Sequence, residues 1–183
     1  MTNKTPKYIK VGDEMHTEKT NNKKYPLKLT LSNGRVLKVP KQANFSNSFL
    51  RCHGCSIMAE YLALQYIDTH VWPITILRWH KRHDKEDIKA KVTVKGVTKG
   101  INHYRKNHAV YEPTPTLTKL KSAMASGAAV ILEQKNPIHS IFLFRDKGWD
   151  YMVSYGKVTK VSLSRIIKTA TTNKTYKGMV IIK

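Results

Sequence analysis

The sequence predicts an α+β fold with an antiparallel sheet, and three observations predict it. Apolar residues recur at helical spacing through the first half of the chain, and strand-like apolar runs fill the second half. Ahead of the first helix, two short alternating runs flank an Asn-Gly pair, the signature of a β-hairpin.

Residues 1–24 are rich in Lys, Thr and Asn and lack apolar spacing, which predicts a basic, loosely held arm before one domain spanning 25–183. The hairpin, 25–40, uses Leu27, Leu29 and Leu31 on one side of Asn33-Gly34 and Val36 to Val39 on the other, with Pro40 as its stop. A polar loop through Asn44, Asn47 and Ser48 leads to a helical part, 53–127. Its first helix opens at Cys55 and carries Met58, Leu62 and Tyr66 at amphipathic spacing. A second helix begins at Pro73, a residue suited to a first turn, and runs through Ile74, Ile76, Leu77 and His80 to His83-Asp84-Lys85. A short helix is expected over Val97 to Tyr104, and another over Thr116 to Ser126, with Gly127 ending it. The sheet part, 128–183, holds Ala129–Leu132, Ile138–Phe144, Asp150–Val153 and Met179–Ile182, with turns at Lys147-Gly148 and Tyr155-Gly156. A short capped helix is expected within Val161 to Ile167, and no internal repeat is visible.

A chain of 183 residues with 40% hydrophobic content buries one good core. Its 33 Lys and Arg against 12 Asp and Glu leave a net charge of +21, a field that attracts polyanions or acidic partners. Local density is highest over Lys19 to Lys28, Arg78 to Lys91 and Lys168 to Lys177, where Tyr25, Trp79 and Tyr176 add rings that suit single-stranded nucleic acid. No nucleic-acid motif accompanies them, so a solvated basic surface explains the lysines equally well. Two cysteines are too few for a secreted disulfide scaffold. No apolar leader and no bilayer-length apolar run are present, so a reduced, soluble, cytoplasmic protein without a membrane partner is expected.

The chemistry concentrates in two residues. Cys55 stands at a helix start, where unpaired N–H groups and the positive dipole end favour a thiolate, and His139 opens an apolar strand. A thiol on a helix and an imidazole on a strand are how a nucleophile and its base are commonly held over a packed core. The backbone N–H of Cys55 together with a loop amide such as Asn47 could hold an oxyanion. Gly54 would keep the approach to the thiol open.

The order of a loop amide, Gly-Cys at a helix start, a helix ending in Gly, an apolar strand and then His resembles the papain-like cysteine peptidases. Nearest is the branch of bacteriocin-leader, or double-glycine, peptidase domains. The matching segments are 47–64, 117–144 and 150–158 with 161–163, within an outline covering 44–167. The resemblance implies an N-terminal helical half packed on a C-terminal antiparallel sheet. It also implies Cys55 as nucleophile, His139 as general base, Asn47 as oxyanion donor, a peptide or protein substrate and no cofactor. Two positions depart from the family pattern. Asn47 stands where Gln is usual, and Ser154-Tyr155 stands where Asp or Asn, commonly followed by Pro, is usual. Ser154 can accept a hydrogen bond from the imidazole but brings no carboxylate charge, which leaves open a weak dyad, a third residue such as Asp150 or Asp146, or a scaffold without catalysis.

Other readings of the same residues stand beside this one. Cys55 could be an inert core thiol. Cys52-His53-Gly54-Cys55 is a Cys-x-x-Cys, so Cys52 could form a reversible disulfide with Cys55, or the pair could bind zinc with His53, His80 or His83. No second Cys pair completes four thiolates, so no metal is assigned, and His80 and His83 read as a basic helix face. Catalytically silent, the same fold would serve as a basic module binding nucleic acid or an acidic protein.

Overall fold

The computed structural model describes residues 8–10, 26–83, 92–135, 138–167 and 176–183. Strands β1 (Tyr8–Lys10), β2 (Leu27–Thr30) and β3 (Val36–Val39) form a small antiparallel sheet in that order. The β2–β3 hairpin is the one expected, with Gly34 at φ +82°. Of the expected basic arm, Tyr8–Lys10 pairs with β2, and the remainder lies outside the described residues.

A short 3-10 helix, Gln42–Asn44, and helix α1 (Ser48–His53) occupy the stretch expected as loop. Asn47 explains the difference, because its side chain caps α1 by accepting the Leu50 N–H at 3.1 Å. Helices α2 (Cys55–Tyr66), α3 (Pro73–His83) and α4 (Val94–Tyr104) follow. The last begins three residues before its expected start. Thr93 accepts the Gly96 N–H at 3.1 Å and Glu133 accepts the Val94 N–H at 3.2 Å, so that first turn is fixed from outside the helix.

Strand β4 (Ala109–Glu112) interrupts the expected helical part and pairs with the closing strand, Tyr176–Ile182, a correction to the boundary between the two parts. Then come α5 (Leu117–Ala125), β5 (Ala129–Gln134), β6 (His139–Asp146), β7 (Trp149–Ser154), β8 (Lys157–Val161), α6 (Leu163–Ile166) and β9 (Tyr176–Ile182). Strand β8 has no sequence counterpart, since it is an edge strand of mostly exposed residues without a buried face to pattern it. Ser162 precedes α6 as expected, but its hydroxyl bonds Ser164 Oγ at 2.8 Å rather than capping a backbone N–H.

The six-stranded sheet has the order β4-β9-β5-β6-β7-β8, with every neighbouring pair antiparallel. Alternate side chains of β5 and β6 feed two apolar layers. Ala129, Ile131, Phe142 and Phe144 pack with α2 and with Leu29 and Leu37 of the hairpin, whereas Val130, Leu132, Ile141 and Leu143 pack with Leu120 and Met124 of α5 and Leu163 of α6. Cover on both faces is why these strands read as unbroken apolar runs rather than alternating ones.

Helix α2 lies at the centre of the first layer. Every residue from Ser56 to Gln65 is buried, which corrects the amphipathic expectation. Its polar side chains are matched instead. Gln65 exchanges two hydrogen bonds with the Lys38 backbone, at 2.8 and 3.2 Å, and Glu60 meets His80 of α3 at 2.6 Å with both side chains fully buried. Gly100 of α4 makes this pair possible, since a Cβ there would overlap the Glu60 carboxylate. Among the described residues, no helix is long and apolar enough to cross a membrane.

Candidate active site

Helix α1 does not continue smoothly into α2. Gly54 closes the first by donating its N–H to Leu50 O at 3.2 Å and opens the second by accepting the Met58 N–H at 2.8 Å. A side chain at this buried junction would collide with the Leu50 backbone, so glycine is demanded by the helix junction rather than by substrate access. The break leaves Cys55 as the first residue of α2, half-buried, at the helix end where N–H groups lack intrahelical partners.

Across from it, β6 begins with His139. The two side chains line one pocket together with Ser154, Tyr155 and Gln42, over a floor that includes Met58, Leu62, Phe142 and Val153. The enclosed volume is about 20 Å³, room for about one water molecule, so anything larger lies along the opening. The next residue along each element fixes the approach: Ser56 Oγ and Ser140 Oγ hydrogen-bond at 2.9 Å, both buried.

His139 is 4% exposed. Its Nε2 lies 2.9 Å from Ser154 Oγ, and the Tyr155 ring stacks on the imidazole with centroids 4.0 Å apart and planes 3° from parallel. Burial holds the imidazole below the ordinary histidine range, because the charged form is poorly solvated there. No hydrogen bond joins the Cys55 thiol to the ring among the described residues; thiol and imidazole share the pocket without one.

The structure therefore brings Cys55, His139 and Ser154 together from segments far apart in the chain. Asn47 it places elsewhere: its carboxamide oxygen is spent on the α1 cap, and it does not line the pocket. Gln42 does, on the 3-10 helix. Its amide donates to Arg51 O at 3.2 Å, and an NH2 group retains a second N–H. Sequence reasoning passed over Gln42 because it lies thirteen positions before Cys55 and the intervening α1 is not legible in the local pattern.

The two aspartates considered as third members are engaged at the other end of β6. Arg145 donates to Asp150 at 2.7 and 3.1 Å, and Asp146 accepts from the Ser32 N–H at 2.9 Å and from the Ser32 hydroxyl. Seven residues of strand separate Asp146 from His139, roughly 23 Å at 3.3 Å per residue, so neither replaces Ser154.

Cys52 is exposed near the end of α1, and both thiols are free. His53 lies against Phe49, His80 is buried on Glu60, and His83 stacks on Trp79. Among the described residues, no group of three or more His, Cys, Asp or Glu could hold a metal ion. Of the rings named with the basic segments, Tyr176 is buried at 5% exposure and cannot stack on a nucleic acid. Trp79 is half-buried between α3 and α4, stacked with His83 and His103. Tyr25, Lys19 to Lys24, Asp84 to Lys91 and Lys168 to Thr175 lie outside the described residues.

Searched against models of known protein families and against curated proteins, the chain matches none.

Proposed function

We propose that this chain is a papain-like cysteine hydrolase, of the bacteriocin-leader peptidase type, that cleaves a peptide amide or a related acyl bond. The observation that carries the reading is the convergence of Cys55 and His139 on one pocket, with Ser154 Oγ 2.9 Å from His139 Nε2. With Nε2–H donated to Ser154, Nδ1 is the nitrogen left to take the thiol proton. As Sγ bonds to the carbonyl carbon, the proton passes to His139. When the C–N bond breaks, the imidazolium returns that proton to the leaving amine. Water, deprotonated by His139, then attacks the thioester, releasing the acid and restoring the thiol. The Cys55 N–H and the second N–H of Gln42 serve the oxyanion, in place of Asn47. The two free thiols accord with a reduced, cytoplasmic setting.

Iodoacetamide at neutral pH tests this. Cys52 is exposed and Cys55 only half-buried, so accessibility alone favours Cys52. Faster labelling of Cys55, lost in His139→Ala, is the expected result; equal or preferential labelling of Cys52 would overturn the hydrolase reading.

A second reading is favoured by one feature. A serine beside His139, and burial that disfavours the imidazolium, both weaken a thiolate–imidazolium pair. On this reading the fold is a silent scaffold, and the +21 charge binds nucleic acid or an acidic protein. A labelled oligonucleotide should then bind with a steep salt dependence that survives Cys55→Ala; no binding at low salt removes this reading.

A further inference from the structure

We propose that Tyr155 is a positioning residue that holds the His139 imidazole in plane and covers it from water; its catalytic purpose rests on the reading of His139 as the base. At 62% exposed, Tyr155 is the most exposed large apolar side chain among the described residues, yet one face of its ring lies flat on the imidazole at 4.0 Å. His139 itself is 4% exposed. An exposed ring that keeps its neighbour dry acts as a lid on that neighbour.

The backbone supports the assignment. Tyr155 and Gly156 form the two-residue turn between β7 and β8, at φ +50° and +73°. Such a turn demands positive φ at both positions and favours Asn-Gly, whereas a bulky aromatic residue takes the left-handed region reluctantly. A residue poorly suited to its conformation signals a local purpose, and the stack on His139 is what this one achieves. Gly156 is seated against Pro40 O and Lys41 Cα, where a Cβ would come within 3.0 Å of each. The turn is thereby wedged against the loop that leads to Gln42, so the ring's place over the imidazole is fixed from below.

In-plane constraint and cover act on different properties. The stack hinders rotation of the imidazole about χ2, which keeps Nε2 on Ser154. The cover removes solvent from one ring face and adds to the burial that keeps His139 neutral. Titratable side chains on the surrounding elements are Cys55, Glu60, Tyr61 and Tyr66 of α2, Glu133 of β5 with Lys135 beyond its end, Arg145 and Asp146 of β6, Asp150 and Tyr151 of β7, Lys157 and Lys160 of β8, and Lys41 of the adjoining loop. All of these are unchanged by a substitution at position 155.

The test is an NMR titration of the His139 ring, assigned among the eight histidines by comparison with His139→Gln. Tyr155→Asn removes the ring while suiting the positive φ, and Tyr155→Phe keeps the ring face. The Asn variant is expected to raise the His139 midpoint by about one pH unit, the size of a partial desolvation effect, and to mix the two neutral tautomers. Tyr155→Phe should keep the wild-type midpoint and the single Nε2–H tautomer. An unchanged midpoint and tautomer in Tyr155→Asn would overturn the proposal, as would an equal shift in both variants, which would assign the effect to the hydroxyl. Slow labelling of Cys55 in the wild type would remove the hydrolase reading but leave the titration result standing, so the two failures are distinguishable.

Discussion

Ser56 Oγ and Ser140 Oγ lie 2.9 Å apart inside the core, one residue beyond Cys55 on α2 and one beyond His139 on β6. Both hydroxyls are buried, at 3% and 5% exposure, so neither can turn to water if the other is lost. This bond ties the first turn of the helix to the start of the strand, and so fixes the two elements whose first residues, Cys55 and His139, line the pocket.

Removing one partner leaves a buried hydroxyl unsatisfied, whereas removing both leaves none. Ser56→Ala and Ser140→Ala should each cost about 1–3 kcal/mol, and the double variant should cost clearly less than their sum. Urea denaturation of the three variants checks this. Costs that add would mean that the two hydroxyls are not coupled.

The weak point of the proposed catalytic group is the absence of charge behind His139. Ser154→Asp places a carboxylate within reach of Nε2 and favours the imidazolium, so Cys55 alkylation at neutral pH should accelerate by about tenfold, one pKa unit's worth. Ser154→Ala should slow it. Second-order rates with iodoacetamide decide, and a rate indifferent to both substitutions would separate Ser154 from the chemistry.

Burial lowers the His139 pKa, and the sign of the consequence for stability follows. In the unfolded chain the ring picks up a proton as pH falls through the ordinary histidine value of 6.5; in the fold it resists doing so until lower pH. The His139 contribution is therefore fully present above the unfolded value and lost as pH drops toward the folded one. Wild-type stability should fall between pH 7.5 and pH 5, and His139→Gln should fall less over that interval. Denaturant midpoints at the two pH values measure it, and equal slopes for both proteins would contradict it.

The fully buried Glu60–His80 contact at 2.6 Å joins α2 to α3. His80→Ala removes the imidazole from beside a fully buried carboxylate and should cost about 3–5 kcal/mol. Gly100→Ala pushes a methyl group into the same space and should cost about 1–3 kcal/mol by overpacking. Thermal and urea unfolding report both, and a neutral Gly100→Ala would show that α4 shifts freely from α2.

The sequence by itself determined the hairpin, α2, α3, α5 and the four apolar strands, because each carries its own periodicity or its own turn residues: Asn33-Gly34, Pro73, Gly127. It also pointed to Cys55 and His139 at a helix start and a strand start, two residues that line one pocket in the fold. Where local pattern was silent, only tertiary structure decided. The Asn47 cap made α1 a helix, pairing with β9 made Ala109–Glu112 a strand, and neighbours on every side turned α2 from a surface helix into the centre of the core. The same holds for the site: Gln42 replaced Asn47 at the pocket, Asp146 and Asp150 went to Ser32 and Arg145, and Tyr155 settled on His139. Periodicity records which face of an element is buried; which polar atoms meet depends on how the chain closes over long distances, and no local spacing encodes that.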